Sequence, residues 1–498
     1  MLEGLLAVLN VETMILVFVG LIVGVVFGSL PGLTTTMAVA IILPMTFGMN
    51  PLNGLAILIG AYIGGTTGGL ITAILIGIPG TPASVATTFD GYPMTQNGEA
   101  GRALGGGIFF SALATLLSIL VLMVAAQPIA NVAVRFGPIE MFSVTLLALT
   151  MISTLVSGNV LKGLIAAVMG ITFALFGFAP VGAMPRFVFH HQFAAGFDML
   201  PLMVGLFAIS EVINMAANYK SDDKTLKIDT NFKIKGFGIG LQDIKGQIVN
   251  FFRSSAIGIG IGVFPGIGAS TSNVIAYSVA KNQSKHPEKF GTGVLDGLVA
   301  SEASNNATLG STMIPLLTLG IPGDTVTAVM LGALMIHGII PGPLLFRNSP
   351  ELINGIFSLY LIAVVLLVVV MYGGIKLFIR VLSVPKHVMM TLVALLCVVG
   401  ALAANFRIFD VWTALFFGVL GFFMNKFKFP MTPMIMGFVL GGIVEVNLVR
   451  GLGFAGGSFF AFFQSPIAAV FLSLSIISIL WSIIKPMIKR KPKQTQGD

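Results

Sequence analysis

The chain has 498 residues, of which 56% are hydrophobic and only 9% charged, and its mean hydropathy is +0.99. Soluble domains carry roughly 25% charged residues, so this composition excludes a soluble globular protein and implies a bilayer as solvent. The single cysteine, Cys397, excludes a disulfide framework or a cysteine metal site, and in its apolar run it reads as an inert packing thiol.

In chain order, residues 1–13 carry Glu3 and Glu12 and no basic residue, so the first apolar run is expected to be a retained anchor and not a cleaved signal. Apolar runs near 14–30, 54–78, 103–126, 138–156, 159–179 and 197–218 make a first membrane half, 1–218. A polar connection, 219–253, follows. Runs near 254–280, 306–322, 325–345, 353–382, 388–404, 409–424, 431–448 and 455–484 make a second half, 254–484, before a basic tail, 485–498. A helix needs about 20 residues to cross ~30 Å, and several of these runs are shorter. The expected fold class is an all-α polytopic membrane protein with roughly 10–12 transmembrane helices plus re-entrant or discontinuous ones, in two repeated and inverted halves.

The net charge of +8 is localised. Lys220, Lys224, Lys227, Lys233, Lys235, Lys245 and Arg253 lie in the connection, and Lys485, Lys489, Arg490, Lys491 and Lys493 in the tail. Both segments are expected to be cytoplasmic by the positive-inside rule. Neither carries a recognised nucleic-acid-binding fold signature, so topology and not nucleic-acid binding accounts for it.

Two stretches occur twice. Phe27-Gly-Ser-Leu-Pro31-Gly32-Leu-Thr34-Thr35-Thr36 and Gly77-Ile-Pro79-Gly80-Thr81-Pro82-Ala-Ser84 return as Gly262-Val-Phe-Pro265-Gly266-Ile-Gly268-Ala-Ser270-Thr271-Ser272 and Gly320-Ile-Pro322-Gly323-Asp324-Thr325. Pro31 and Pro265 lie 234 residues apart and Pro79 and Pro322 lie 243 apart, so the duplication carries a small insertion. Proline removes a backbone donor and glycine permits a sharp turn, so each pair should stop a helix inside apolar sequence. Backbone groups freed there must be buried in protein or face a wet cavity. Paired broken helices of this kind mark the binding site of secondary transporters. The 254–280 run, with Lys281, Lys285, His286 and Lys289 after it, is expected to form a re-entrant hairpin around Pro265 that returns to the side of Arg253.

Hydroxyls follow each break: Thr34, Thr35 and Thr36; Thr81 and Ser84; Ser270, Thr271 and Ser272; Thr325. A helix N-terminus offers free N–H groups and a partial positive charge, which suit an anion, and the opposite carbonyl ends suit a cation. N-capping accounts for any one of these hydroxyls; it does not account for four helices stopping in apolar sequence. Asp324 stands where the first half has Thr81, and is either an N-cap or, with Gly266 and Gly32, a coupling-ion candidate. Asn305 and Asn306, near Glu302, line the site or glue helices together. Asp90, Glu99 and Arg102 are expected on a loop face, His337 as a satisfied interfacial histidine, and Arg186 as a lone cation that snorkels or meets substrate. Glycines such as Gly60, Gly64, Gly65, Gly68 and Gly69 are expected as helix-packing notches.

Several motifs in order resemble one family. Gly65-Thr-Thr-Gly68-Gly69 through Pro79-Gly80-Thr81 to Asp90-Gly91-Tyr92-Pro93, then Phe264-Pro265-Gly266-Ile-Gly268, Glu302-Ala-Ser-Asn305-Asn306 and Pro315 through Pro322-Gly323 to Pro341-Gly342-Pro343 are similar to the large membrane subunit of tripartite tricarboxylate transporters. The resemblance runs from about Gly24 to Arg450, with Leu70 standing where that pattern has serine and the arginine stretch ending in His190. It implies a bacterial inner-membrane permease working with a small four-helix membrane subunit and a periplasmic substrate-binding protein. Such a permease imports a tricarboxylate or related organic anion on a Na⁺ or H⁺ gradient, with no other cofactor and no nucleic-acid partner. The alternative is the membrane component of an ATP-driven or passive carboxylate pathway; the chain has no Gly-x4-Gly-Lys-[Ser/Thr] loop, so an ATPase would be a separate subunit. An enzyme is disfavoured, because the five histidines are dispersed and no His-Glu-x-x-His occurs.

Overall fold

A computed structural model describes residues 2–155, 159–218, 234, 236–382, 384 and 386–488. Residues 219–233 and 235 of the expected polar connection and 489–498 of the basic tail therefore lie outside the described residues. The helices of the first part are α1 (Leu2–Val8), α2 (Val11–Ser29), α3 (Thr35–Ile42), α4 (Pro51–Gly68), α5 (Leu70–Ile76), α6 (Thr87–Gln96), α7 (Ala100–Ala133), α8 (Pro138–Leu155) and α9 (Val160–Ala174). A two-residue ladder, β1 (Gly177–Phe178) on β2 (Pro185–Arg186), precedes α10 (Met199–Met203) and α11 (Ser210–Ala217), which a π-helical turn joins. The second part has α12 (Leu241–Val263), α13 (Gly268–Gln283), α14 (Leu295–Ser311), α15 (Met313–Leu319), α16 (Thr325–Ile336), α17 (Leu345–Asn348), α18 (Pro350–Val381), α19 (Lys386–Asn405), α20 (Ile408–Lys426), α21 (Met431–Phe454) and α22 (Pro466–Ile488).

Among the described residues seven helices are long and apolar enough to cross a membrane, and six shorter apolar helices accompany them. The chain is an all-α polytopic membrane protein. Helix α12 begins at Leu241, inside the stretch expected as connection to 253. Its buried stripe, Gln247, Asn250, Phe251, Ser254, Ser255, Gly258 and Gly262, has helical spacing but mostly polar or small side chains, so hydropathy did not reveal it. The hairpin expectation holds in geometry: α12 and α13 fold back around Pro265, and Arg253 Nη1 donates to Gln283 Oε1 at 3.1 Å.

At two helix pairs the ends keep the offset of the repeated stretches. α4 and α5 end at Gly68 and Ile76, and α14 and α15 end 243 residues later at Ser311 and Leu319. Gly77 and Gly320 then close α5 and α15 with left-handed φ values of 68° and 72°, a conformation that favours glycine.

Contacts group the chain into two compact units, Met1–Val134 with Asp198–Phe423, and Arg135–Phe197 with Met424–Asp498, each drawing on both sequence halves. In the first unit, α2 and α4 approach until their backbones touch. Methyl groups at Gly20, Gly24 and Gly28 would lie 2.1, 2.4 and 2.1 Å from the carbonyl oxygens of Ile57, Ala61 and Gly65. Gly60, Gly64 and Gly68 are the reciprocal notches, against Val17, Leu21 and Val25. Small residues every fourth position let helices pack where lipid supplies no hydrophobic drive. In the second unit, α9 and α21 use the same device, Gly170 against Met434 and Gly437 against Ala167. Arg186, expected to be lone, forms a two-pronged pair with Glu445 there, at 2.7 and 3.0 Å. A charge placed so near apolar helices is tolerated when paired.

The α2–α4 seam predicts that Gly24→Ala lowers stability by about 1–3 kcal/mol, the usual range for forcing atoms into a packed site. Gly373→Ala, where a methyl meets nothing within 4 Å, should leave the melting temperature of the detergent-purified chain unchanged or slightly raised. Equal melting temperatures for the two variants would contradict the seam.

Candidate functional site

Within each half the two breaks meet. A methyl at Gly80 would lie 2.2 Å from the Gly28 carbonyl oxygen and 3.0 Å from Gly69 Cα; one at Gly323 would lie 2.9 Å from the Gly262 carbonyl oxygen and 2.8 Å from Thr312 Cα. These positions correspond one to one across the duplication. In the second half the contact includes a hydrogen bond, Gly266 N–H to the Gly323 carbonyl at 2.7 Å. Glycine is required because any side chain would push the breaks apart.

The halves then exchange contacts. Thr36 and Thr325 share a hydrogen bond of 3.0 Å, joining the start of α3 to the start of α16. Reciprocally, Asn273 of α13 donates its amide to the Ala83 carbonyl in the one-turn 3₁₀ helix Pro82–Ser84. A methyl on Gly268 would lie 3.1 Å from Asp324 Cβ. Thr34 caps α3 by accepting from Met37 N–H at 3.1 Å, and Thr35 fills the space left by Gly65.

Asp324 is the N-cap of α16, in a complete capping box with Thr327. Its Oδ1 accepts from Thr327 N–H and Oγ1, both at 2.7 Å, and its Oδ2 accepts from Tyr62 Oη at 2.9 Å. Tyr62 also shares a 3.0 Å bond with Thr312 Oγ1. The first-half counterpart differs. Ser84 Oγ returns to the Thr81 N–H and carbonyl at 3.2 and 2.9 Å, but the buried Thr81 hydroxyl has no partner. After Pro79-Gly80 there follows a single 3₁₀ turn, not the longer helix start expected from the sequence.

Helix α14 supplies a fully buried polar face. Glu302 accepts from Thr87 Oγ1 at 2.5 Å, Ser111 Oγ at 2.9 Å and Asn306 Nδ2 at 3.2 Å. Asn306 Oδ1 accepts from Thr67 Oγ1 at 2.7 Å. Asn305 is wholly buried and neither atom of its amide has a partner. Thr72 Oγ1, Asn273 Oδ1 and Tyr360 Oη are likewise buried without partners. Such orphans are rare in folded proteins and call for a specific explanation.

Not every hydroxyl singled out in the sequence joins these contacts. Ser272 bonds Ser304 on α14, whereas Ser270 is exposed and Thr271 half-buried. Pro31, Pro79 and Pro265 are half-buried at their turns and Pro322 is buried. Gly32 is exposed at φ +95°, with Glu211 Oε1 4.0 Å from where its side chain would begin. Sequence reading missed Tyr62, Thr67, Thr87, Ser111 and Asn273, whose partners lie 190 or more residues away.

The acidic cluster expected on a loop face divides. Asp90 is buried: Oδ1 accepts from the N–H groups of Gly291, Gly293 and Val294 at 2.9, 2.9 and 3.0 Å, and Oδ2 from Tyr277 Oη at 2.9 Å. It ties α6 to the turn leading into α14. Arg102 pairs with Glu99 at 2.9 Å and with Asp243 at 2.7 Å, all part-exposed. The Gly240 N–H, then the Arg102 guanidinium, hold the Asp243 carboxyl below the usual carboxylate range against its partial desolvation. His337 is not the satisfied histidine expected, since its buried Nε2 has no partner.

Asp90→Ala strands three amides and a phenol and should cost about 3 kcal/mol or more, seen as a large fall in melting temperature. Arg102→Ala breaks only part-exposed pairs and should cost about 1 kcal/mol or less. A smaller loss at Asp90 than at Arg102 would contradict this division.

The comparisons with known proteins agree with this anatomy. Residues 14–436 match the model of the "Tripartite tricarboxylate transporter TctA family". The chain is 33% identical over 475 residues, covering 95% of it and 93% of the relative, to the uncharacterized 52.8 kDa protein of the TAR-I ttuC' 3' region of Agrobacterium vitis. It is 34% identical over 234 residues, covering 47% of it and 96% of the relative, to an uncharacterized protein of the TAR-II ttuC' 3' region of the same organism. No solved structure matches. With nearly the whole chain covered and its Pro-Gly breaks inside the matched region, the protein belongs to the TctA family and is a multi-pass membrane component of a tripartite tricarboxylate transporter.

Proposed function

We propose that this chain is the permease subunit of a binding-protein-dependent secondary transporter, importing an organic anion, a tricarboxylate or related carboxylate, on a cation gradient. It works in the bacterial inner membrane with a small four-helix membrane subunit and a periplasmic substrate-binding protein, and it carries out no chemical step on its cargo. Residues 1–218 and 254–484 are inverted repeats, with 219–253 and the C-terminus cytoplasmic.

One observation carries this reading: the tips of broken helices from both halves meet, through Thr36 and Thr325 and through Asn273 and Ala83. The four breaks contain no Lys or Arg, so an anion there is held by helix N-terminal amides and by the Thr34–Thr36, Thr81, Ser84, Ser270–Ser272 and Thr325 hydroxyls, not by a fixed cation. The lack of a permanent counter-charge suits a carrier, which must release what it binds. The carbonyl ends at Gly32 and Gly266 suit a cation, whereas the Asp324 carboxylate already accepts from Tyr62 and Thr327.

The test is uptake by proteoliposomes holding this chain, its small partner and the binding protein, offered a carboxylate panel under imposed Na⁺ or pH gradients. Accumulation that collapses with the cation gradient is expected, and accumulation sustained without any gradient would refute the coupling. Thr36→Val and Thr325→Val each remove one hydroxyl at the meeting point and should lower uptake about tenfold, the equivalent of one hydrogen bond of ~1.4 kcal/mol. For topology, Lys285→Cys in a Cys397→Ser background should label from the cytoplasmic side.

A further inference from the structure

The duplication permits a comparison that exposes a second, open site. With the 243-residue offset, Tyr62 corresponds to Asn305, Gly69 to Thr312 and Thr81 to Asp324. The helix ends between them coincide residue for residue. On the second-half break the place is closed: the Tyr62 hydroxyl spans Thr312 and Asp324 at 3.0 and 2.9 Å. On the first-half break the counterpart of that tyrosine is the shorter Asn305, and the counterpart of the Asp324 carboxylate is the Thr81 hydroxyl. Here nothing closes. Asn305 and Thr81 are 0% and 4% exposed, and neither side chain has a partner.

Two further oxygens join them. Thr72 Oγ1 lies 2.8 Å from where a Gly80 methyl would begin, and Thr81 Oγ1 2.7 Å from where a Gly69 methyl would begin, with Gly69 and Gly80 themselves in contact. Thr72 is fully buried, and unlike Thr115 or Thr312 its hydroxyl makes no bond back to its own helix. Asn273 is fully buried and commits its amide nitrogen to the Ala83 carbonyl, which leaves Oδ1 as its free atom. Thr72 and Thr81 thus bring unpartnered hydroxyls to the turn Gly80–Ala83, Asn273 meets it through the Ala83 carbonyl, and the 243-residue offset assigns Asn305 the place that Tyr62 fills at the second break.

We propose that this turn is a binding site for a dehydrated monovalent hard cation of the Na⁺ class, ligated by the side-chain oxygens of Thr72, Thr81, Asn273 and Asn305. Neutral oxygens replacing a hydration shell are the chemistry by which proteins hold such ions without a carboxylate. A divalent ion would ordinarily draw on carboxylates, and here Asp324 and Glu302 are spent on Tyr62 and Thr327, and on Thr87, Ser111 and Asn306. An anion would have to draw on the Thr72 and Thr81 hydroxyls and the Asn305 amide alone, because Asn273 has committed its nitrogen to Ala83. The proposal rests on the transport reading and assigns its coupling ion a place: binding at Gly80–Ala83 closes the first break as Tyr62 closes the second.

The experiment uses the purified full chain and NaCl as the probe, with equal choline chloride as the control. The melting temperature should rise with Na⁺ and not with choline, since a ligand of the folded state stabilises it. Thr72→Val and Asn305→Leu, which remove orphans and not bonds, should melt no lower than wild type in choline. Each should weaken the apparent Na⁺ affinity at least about tenfold, the loss of one ligand. Tyr62→Phe, at the closed break, should keep the wild-type Na⁺ response. No Na⁺ effect in wild type, or an undiminished effect in both variants, would overturn the site. If one variant fails to fold, the other decides. Uptake driven by a pH gradient in a chain that ignores Na⁺ would overturn this site and leave the transport reading standing. Na⁺ binding without gradient-driven uptake would do the reverse.

Discussion

A Pro-Gly break inside an apolar helix frees backbone donors and acceptors, and satisfying those groups is the constraint on which the fold depends. An unpaired group in hydrocarbon costs several kcal/mol, so the breaks cannot face lipid. They are instead brought into contact with each other, Gly266 N–H on the Gly323 carbonyl and Gly80 against the Gly28 carbonyl. The helices that carry them must then come close enough for those contacts to form. The glycine seam between α2 and α4 provides that approach: six notches, each against a carbonyl one turn further along. The seam and the breaks are therefore one device, because the first sets the spacing that the second requires.

The exchange between halves follows from the same accounting. Beside the α2–α3 tip, the Thr36 hydroxyl meets the Thr325 hydroxyl at the start of α16. The α12–α13 tip receives the Ala83 carbonyl in return. The halves are thus joined through Thr36 and Thr325 and through Asn273 and Ala83.

What the sequence disclosed was the local part of this design. Pro31, Pro79, Pro265 and Pro322 announce helix ends because proline acts on its own turn, and glycine spacing announces packing because its period is that of the helix. The partners could not be read. Tyr62, Thr87 and Ser111 reach Asp324 and Glu302 across 262, 215 and 191 residues, and nothing in a short window distinguishes them from other residues of buried helices. Arg186 looked solitary for the same reason, with Glu445 259 residues on. The start of α12 at Leu241 was hidden differently: its buried stripe holds Gln247 and Asn250, which hydropathy scores as surface although α14 and its turn cover them. Asp90 was misplaced because a carboxylate that caps a distant turn has the same sequence appearance as one on a loop.

The two halves share a backbone but not their chemistry. Both buried carboxylates of the junction, Glu302 and Asp324, come from the second half, where their first-half counterparts are Ile59 and Thr81. The side chains that hold them, Thr87 and Ser111 for Glu302 and Tyr62 for Asp324, come from the first. A buried carboxylate survives only where donors from elsewhere surround it, so acid on one repeat required hydroxyls on the other. Once the halves had diverged in this way, exact symmetry was lost: the second-half break closed on a tyrosine–carboxylate bond, while the first-half break kept hydroxyls and amides with no partner of their own. Divergence at these few positions gives one backbone two unlike faces, a closed one that holds the fold together and an open one with oxygens to spare.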